Sequence, residues 1–194
     1  MYTVVGSAKS RAARVLWMLA ELDQPFTHIP AAPQSAEART HNPSGKVPTL
    51  IDGDATITDS TAILTYLADK HRLFTAPAGT LARAKQDSLT HFLLDEFDAL
   101  LWTSARHSFV LPEEMRLPAI KTSLKWEYAR SLTRLAALLQ GPYLMGDQMT
   151  VPDIIAAHCL GWGLGIRFPE PNSTLTTYLT FMRARPAFAH AMSM

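Results

Sequence analysis

Residues 42–64 read NPSGKVPTLIDGDATITDSTAIL. Val47 to Ile51 is a short apolar strand interrupted near its start by Pro48. Proline cannot donate to a sheet ladder, so it belongs at a strand start or an edge. Asp52-Gly53-Asp54 is a hairpin turn of the D-G kind, and Ala55 to Thr58 returns as the partner strand. A helix then opens at Asp59 and runs to Lys70, burying Ile63, Leu64 and Leu67. A hairpin feeding directly into a helix is the closing piece of a small α/β layer, so the question is what precedes it.

Upstream, strand and helix patterns alternate. Residues 2–6 form an apolar strand. Residues 10–22 carry Ala12, Val15, Leu16, Leu19 and Leu22 on one helical stripe. Phe26 to Ile29 is a weak strand, and a Pro- and Ala-rich stretch leads into the quoted segment. The order is β-α-β-α-β-β-α. The terminal hairpin makes the sheet mixed rather than purely parallel.

Downstream, residues 73–79, LFTAPAG, read as a linker, and the pattern then turns helical. Long helices are expected over 80–110 and 116–140, the second stopped by Gly141-Pro142. Another begins at MTVPD: Thr150 is the N-cap, Asp153 completes a capping box, Pro152 sits in the first turn, and Met149 staples onto Ile154. A short helix spans Leu175 to Arg183, and Arg185-Pro186-Ala187-Phe188 closes the chain. The expected domains are 1–74, α/β, and 80–194, all-α.

The 194 residues carry a net charge of +1 with basic and acidic side chains interspersed, which gives no nucleic-acid footprint. No apolar run reaches the roughly 18 residues that span a bilayer, and no signal peptide is legible. One cysteine, Cys159, permits no internal disulfide and suits a reducing, cytoplasmic setting. The seven histidines show no metal-ligand spacing, so no metal is expected.

Several residues point to ligand chemistry. With Val47-Pro48 cis, the Val47 N–H and C=O would face outward and could pair with an extended peptide ligand. Asp59-Ser60 reads either as a helix cap or as a seat in which Ser60 receives an anionic group at the positive helix end and Asp59 takes an ammonium. Lys46 supplies a cation for a second carboxylate, or is a solvated surface lysine. Ser7 and Ser10, three apart at the first turn of the first helix, add hydroxyls. A ligand matching this set has an α-amino-acid head, a peptide-like middle and a terminal carboxylate; glutathione is such a molecule, with its thiol toward the serines. Trp102, Arg106 and His107 could line a second pocket, or pack and solvate their helix.

NPSGKVPTL, the Asp59-Ser60 pair opening a helix, and GDQMTVPDII occur in the order and spacing of the cytosolic glutathione transferases, and the chain resembles a bacterial member over essentially its whole length. The resemblance implies a thioredoxin-like N-terminal domain followed by an all-helical C-terminal domain. It implies glutathione, as co-substrate, held by Lys46, Val47, Asp59 and Ser60 with Pro48 cis. It also implies a hydrophobic second-substrate pocket between the domains, a role in detoxification and a homodimer.

In thioredoxin-like proteins the turn before the first helix carries C-x-x-C; here the same spacing reads Ser7-Ala8-Lys9-Ser10. Without cysteines at this turn the protein cannot itself exchange dithiols, but a hydroxyl can stabilise the thiolate of bound glutathione. Similarity to the serine-type classes puts the activating residue at Ser7 and leaves Ser10 as the cap, with the reverse assignment open. The chain departs from those classes at Ala8 and Lys9. The cysteine of the beta-like classes would fall at Lys9, and Tyr2 lies too far from the turn for a tyrosine mechanism. The expected function is therefore a glutathione transferase acting on a small, hydrophobic electrophile. The alternatives are a non-catalytic binding module on the same fold, or a glutathione-dependent isomerase or peroxidase.

Overall fold

The computed structural model describes residues 1–194. The chain folds as two compact units, Met1–Pro77 with Met182–Met194, and Ala78–Phe181. No helix is long and apolar enough to cross a membrane.

The first unit holds β1 (Tyr2–Val5), α1 (Ala12–Glu21), β2 (Phe26–Ile29), α2 (Ala36–His41), β3 (Thr49–Asp52), β4 (Ala55–Thr58) and α3 (Ser60–His71). The sheet order is β2-β1-β3-β4. β1 and β2 are parallel, with Val4 opposite His28, and the other pairs are antiparallel, with Val4 opposite Leu50 and Leu50 opposite Ile57. The mixed sheet expected from the hairpin is present. Its core is Val4, Leu50, the α1 residues Val15, Leu16 and Leu19, and the α3 residues Ile63, Leu64 and Leu67, all fully buried, while Val5 packs separately with Ala31 and Ala38.

The end of the chain forms a helix that the sequence pattern does not announce, α9 (Pro186–Met192), which belongs to this unit rather than to the helical one. Phe188 meets Trp17 edge-to-face with ring centroids 5.0 Å apart. Arg185 grips Glu21 through both Nε and Nη2, the latter at 2.7 Å, and the Trp17 indole donates to the same carboxylate at 2.8 Å. The expected 80–194 domain therefore differs from the compact helical unit by this closing segment. By pattern alone Arg185-Pro186 ends the helical region, because proline reads as a stop. Here Pro186 stands at the first helical turn, where its missing N–H has no helix partner to lose.

The second unit begins with α4 (Leu81–Leu93) and α5 (Ala99–Ala105), joined and followed by π-helical turns over Leu94–Asp98 and Arg106–Val110. The single helix expected over 80–110 is thus continuous but twice under-wound. α6 spans Ile120–Leu138, α7 Val151–Gly165, and α8 (Ser173–Arg183) reaches the unit boundary. α7 is buried along most of its length, and Gly163 lets Tyr128 of α6 approach; a Cβ there would lie 2.3 Å from the Tyr128 hydroxyl.

The capping box at the start of α7 is a buried polar knot. The fully buried Asp153 carboxylate accepts from the Thr150 N–H at 2.8 Å, the Thr150 hydroxyl at 2.9 Å, the Leu144 N–H at 2.8 Å and the Tyr178 hydroxyl at 3.0 Å. Burial pushes its pKa up while these donors oppose the shift. Cys159 is buried within α7, as an inert core thiol would be.

Candidate functional site

The residues singled out in the first unit lie where β1 ends, where the loop before β3 crosses, and where α3 begins. Gly6 makes the junction possible. It adopts φ +142°, and a Cβ added there would sit 2.7 Å from the Ala12 Cβ and 3.0 Å from the Val47 Cβ. Only a glycine lets the turn after β1, the first residue of α1 and the Val47 loop meet this closely. The Gly6 N–H donates to Ile29 O and the Ser7 N–H to Ala31 O, each at 2.9 Å, which fixes the turn against the end of β2.

The two serines differ in what their hydroxyls do. Ser10 Oγ accepts from the Ala12 N–H at 3.1 Å and donates to the Ser7 carbonyl at 2.7 Å, so its proton is committed. Ser7 Oγ accepts from the Lys9 N–H at 3.2 Å and finds no acceptor within the protein for its own proton. Ser10 holds the entry to α1; Ser7 has a proton left to give. α1 itself begins only at Ala12, so both serines lie in the tight turns before the helix and not in its first turn as expected. The effect of the helix end at Ser7 is correspondingly weaker.

The Asn42–Pro48 loop is built around a nearly buried Asn42. Its side-chain oxygen accepts from the Ser44 N–H at 3.1 Å and the Ser44 hydroxyl at 2.9 Å, and its Nδ2 donates to Lys46 O at 3.0 Å. The Gln34 N–H closes the loop on Gly45 O at 2.8 Å. Lys46 projects into solvent with no acceptor for its ammonium in the protein, and Val47-Pro48 is cis. The Val47 N–H and C=O make no hydrogen bond within the chain; the ladder to β1 begins only at Thr49.

Asp59 is the N-cap of α3, at φ 71°. Its Oδ1 accepts from the Thr61 N–H at 2.9 Å and the Ala62 N–H at 3.0 Å, while Oδ2 has no partner in the protein. The cap and seat readings of this pair are therefore compatible, one for each carboxylate oxygen. Ser60 is 3% exposed, its N–H is unpaired, and its Oγ accepts from Arg14 Nη1 at 3.4 Å.

Arg14 and Asn42 are the members that sequence reasoning misses. In the sequence Arg14 reads as an interruption of an apolar stretch, yet it is 1% exposed on the buried face of α1. The available signal is a charged residue between Ala13 and Val15 on a helix with little room for one. Asn42 is the conventional turn-former whose side chain imitates a backbone turn. In the second unit, Arg106 Nη2 donates to Thr103 at 3.0 Å, and His107 Nδ1 accepts from the Leu117 N–H at 3.1 Å, tying the end of the π-helical turn to the next segment. No group of three or more His, Cys, Asp or Glu side chains is placed to hold a metal.

Residues 2–76 match the family model for the N-terminal domain of glutathione S-transferases. The first unit thus carries a glutathione S-transferase N-terminal domain. It is 27% identical over 158 residues to glutathione S-transferase GstA of Escherichia coli O157:H7, covering 78% of this chain and 75% of that one. It is 34% identical over 128 residues to glutathione S-transferase 1 of Schizosaccharomyces pombe, covering 62% of this chain and only 55% of the relative. The theta-class glutathione S-transferase of Xanthomonas axonopodis pv. citri, solved with glutathione bound, superposes with a TM-score of 0.78 at 26% identity over 100% of this chain and 97% of that one. The thioredoxin-like sheet unit and the mostly helical remainder are those of the glutathione transferase fold.

Proposed function

We propose that the protein is an enzyme that binds glutathione on its first unit, activates the thiol as a thiolate, and transfers it to a small hydrophobic electrophile. The observation that carries this reading is the set of unsatisfied groups around one junction: the Val47 N–H and C=O, the Ser60 N–H, Asp59 Oδ2 and the Ser7 hydroxyl proton. Ser60 is buried and Ser7 and Val47 are half-buried, where polar groups ordinarily find partners, and together with the exposed Asp59 they are complementary to a γ-glutamyl peptide. The ligand's carboxylate accepts from the Ser60 N–H and hydroxyl, and its ammonium donates to Asp59. Its cysteinyl N–H and C=O pair with Val47 as an added strand. Lys46 meets the glycyl carboxylate, and the Ser7 hydroxyl donates to the sulfur.

A free thiol titrates at about 8.5, and lowering it to about 6.5 takes roughly 2.7 kcal/mol. A hydrogen bond to a charged acceptor supplies about 1.5–3 kcal/mol, so one aimed hydroxyl is sufficient. In the transfer to an aryl halide the thiol proton passes to solvent, the sulfur lone pair forms the S–C bond, and halide leaves with the electrons of the C–X bond.

The same reading carries a homodimer and a detoxifying role in the cytoplasm. The test is calorimetric titration of glutathione together with a spectroscopic assay using a generic aryl halide. Saturable binding with conjugate formation is expected. Binding without turnover would leave a non-catalytic module, and absence of binding would remove the reading altogether.

A further inference from the structure

Arg14 is a permanently charged guanidinium, 1% exposed, on a helix whose neighbouring side chains are apolar. Burying such a charge is unfavourable unless hydrogen bonds compensate. One of its bonds goes to Ser60, where Nη1 donates to Oγ at 3.4 Å between two buried side chains. That contact settles the polarity of the hydroxyl. With a lone pair of Oγ facing the guanidinium, the Ser60 proton points elsewhere, and the protein offers it no acceptor. The Ser60 N–H, at the start of α3, is unpaired as well.

We infer that Arg14 is a positioning residue for the head-group carboxylate of the ligand: it orients the Ser60 hydroxyl as a donor, without touching the ligand itself. This rests on the glutathione reading above. It makes Arg14 a determinant of selectivity for ligands that carry a carboxylate next to the amino group, as distinct from the peptide middle held by Val47.

The test compares two ligands on the full-length protein by calorimetry: glutathione, and 4-aminobutanoyl-cysteinyl-glycine, which lacks only the γ-glutamyl α-carboxylate. In the wild type the analogue should bind about 10- to 100-fold more weakly, the range for a hydrogen bond to a charged group. In Arg14→Gln that ratio should fall at least about threefold, because the carboxylate keeps the Ser60 N–H but has lost its oriented hydroxyl donor. Ser60→Ala should lower it similarly, and adding Arg14→Gln to Ser60→Ala should change it no further. Should circular dichroism show Arg14→Gln unfolded, Arg14→Lys keeps the charge but not the fork, and the ratio should still fall at least about threefold. Equal weakening of both ligands, with the wild-type ratio retained in the Arg14 variants, overturns the inference and leaves Arg14 a purely structural residue. A wild type that binds neither ligand overturns the glutathione reading instead.

Discussion

Replacing Ser7 by alanine removes one hydroxyl at a position where the fold loses little. Ser7 Oγ accepts a single backbone bond, from the Lys9 N–H at 3.2 Å. The backbone of the turn stays anchored by Ser7 N–H to Ala31 O and by the Ser10 hydroxyl to Ser7 O. The proton is what the variant lacks. A charge-assisted hydrogen bond is worth about 1.5–3 kcal/mol, and each pKa unit corresponds to about 1.4 kcal/mol. Ser7→Ala should therefore raise the thiol pKa of bound glutathione by about one to two units. Turnover near neutral pH should fall about 10- to 100-fold and recover as pH rises, since alkali ionises the thiol unaided. Ser10→Ala should instead cost about 1–2 kcal/mol of stability through the lost Ala12 and Ser7 contacts, with a near-normal pH–rate profile. The assay is titration of the thiolate absorbance of bound glutathione in wild type and both variants. A pKa that moves in Ser10→Ala and not in Ser7→Ala refutes the assignment of roles; a pKa that moves in neither refutes hydroxyl activation.

Three further outcomes are expected. Gly6→Ala should lower stability by about 2–4 kcal/mol, from strain at positive φ and overlap with Ala12 and Val47, read as a fall in midpoint on chemical denaturation. Asp52 is held below the usual carboxylate range by hydrogen bonds from Lys70 and Tyr66. A depressed carboxylate stabilises the fold above its unfolded pKa and loses that contribution as pH falls through the folded one. The thermal midpoint of Lys70→Met should therefore lie below that of the wild type above about pH 4 and converge with it under stronger acid. Light scattering at micromolar concentration should give twice the chain mass of 21.4 kDa, and a mass near 21.4 kDa would exclude the homodimer.

The elements most legible in the sequence are those whose signal is local. The D-G hairpin, the Phe26–Ile29 strand and the Thr150–Asp153 box stand in the structure where turn chemistry and capping place them. The start of α1 is less legible, because the stretch from Ser7 to Arg11 is compatible with helix by composition and is diverted into tight turns by the two serine side chains. The π-helical turns are invisible, since an extra residue in a turn shifts periodicity by less than a hydrophobic stripe is wide. α9 is hidden for another reason. Its partners, Trp17 and Glu21, lie at the other end of the chain, and no local pattern encodes that contact. At the site, Ser7, Val47 and Asp59 can be read from turn and cap chemistry. Arg14 cannot, because its burial and its contact with Ser60 are created only by the tertiary structure.

Seating of glutathione on the junction of β1, the Asn42–Pro48 loop and α3 can be followed residue by residue, by amide NMR of the isotope-labelled chain titrated with the tripeptide. Saturable shifts, with one common dissociation constant, are expected at the amides of Gly6, Ser7, Val47, Ser60 and Thr61. If glutathione leaves these five amides unmoved while shifting residues elsewhere, it does not bind at this junction.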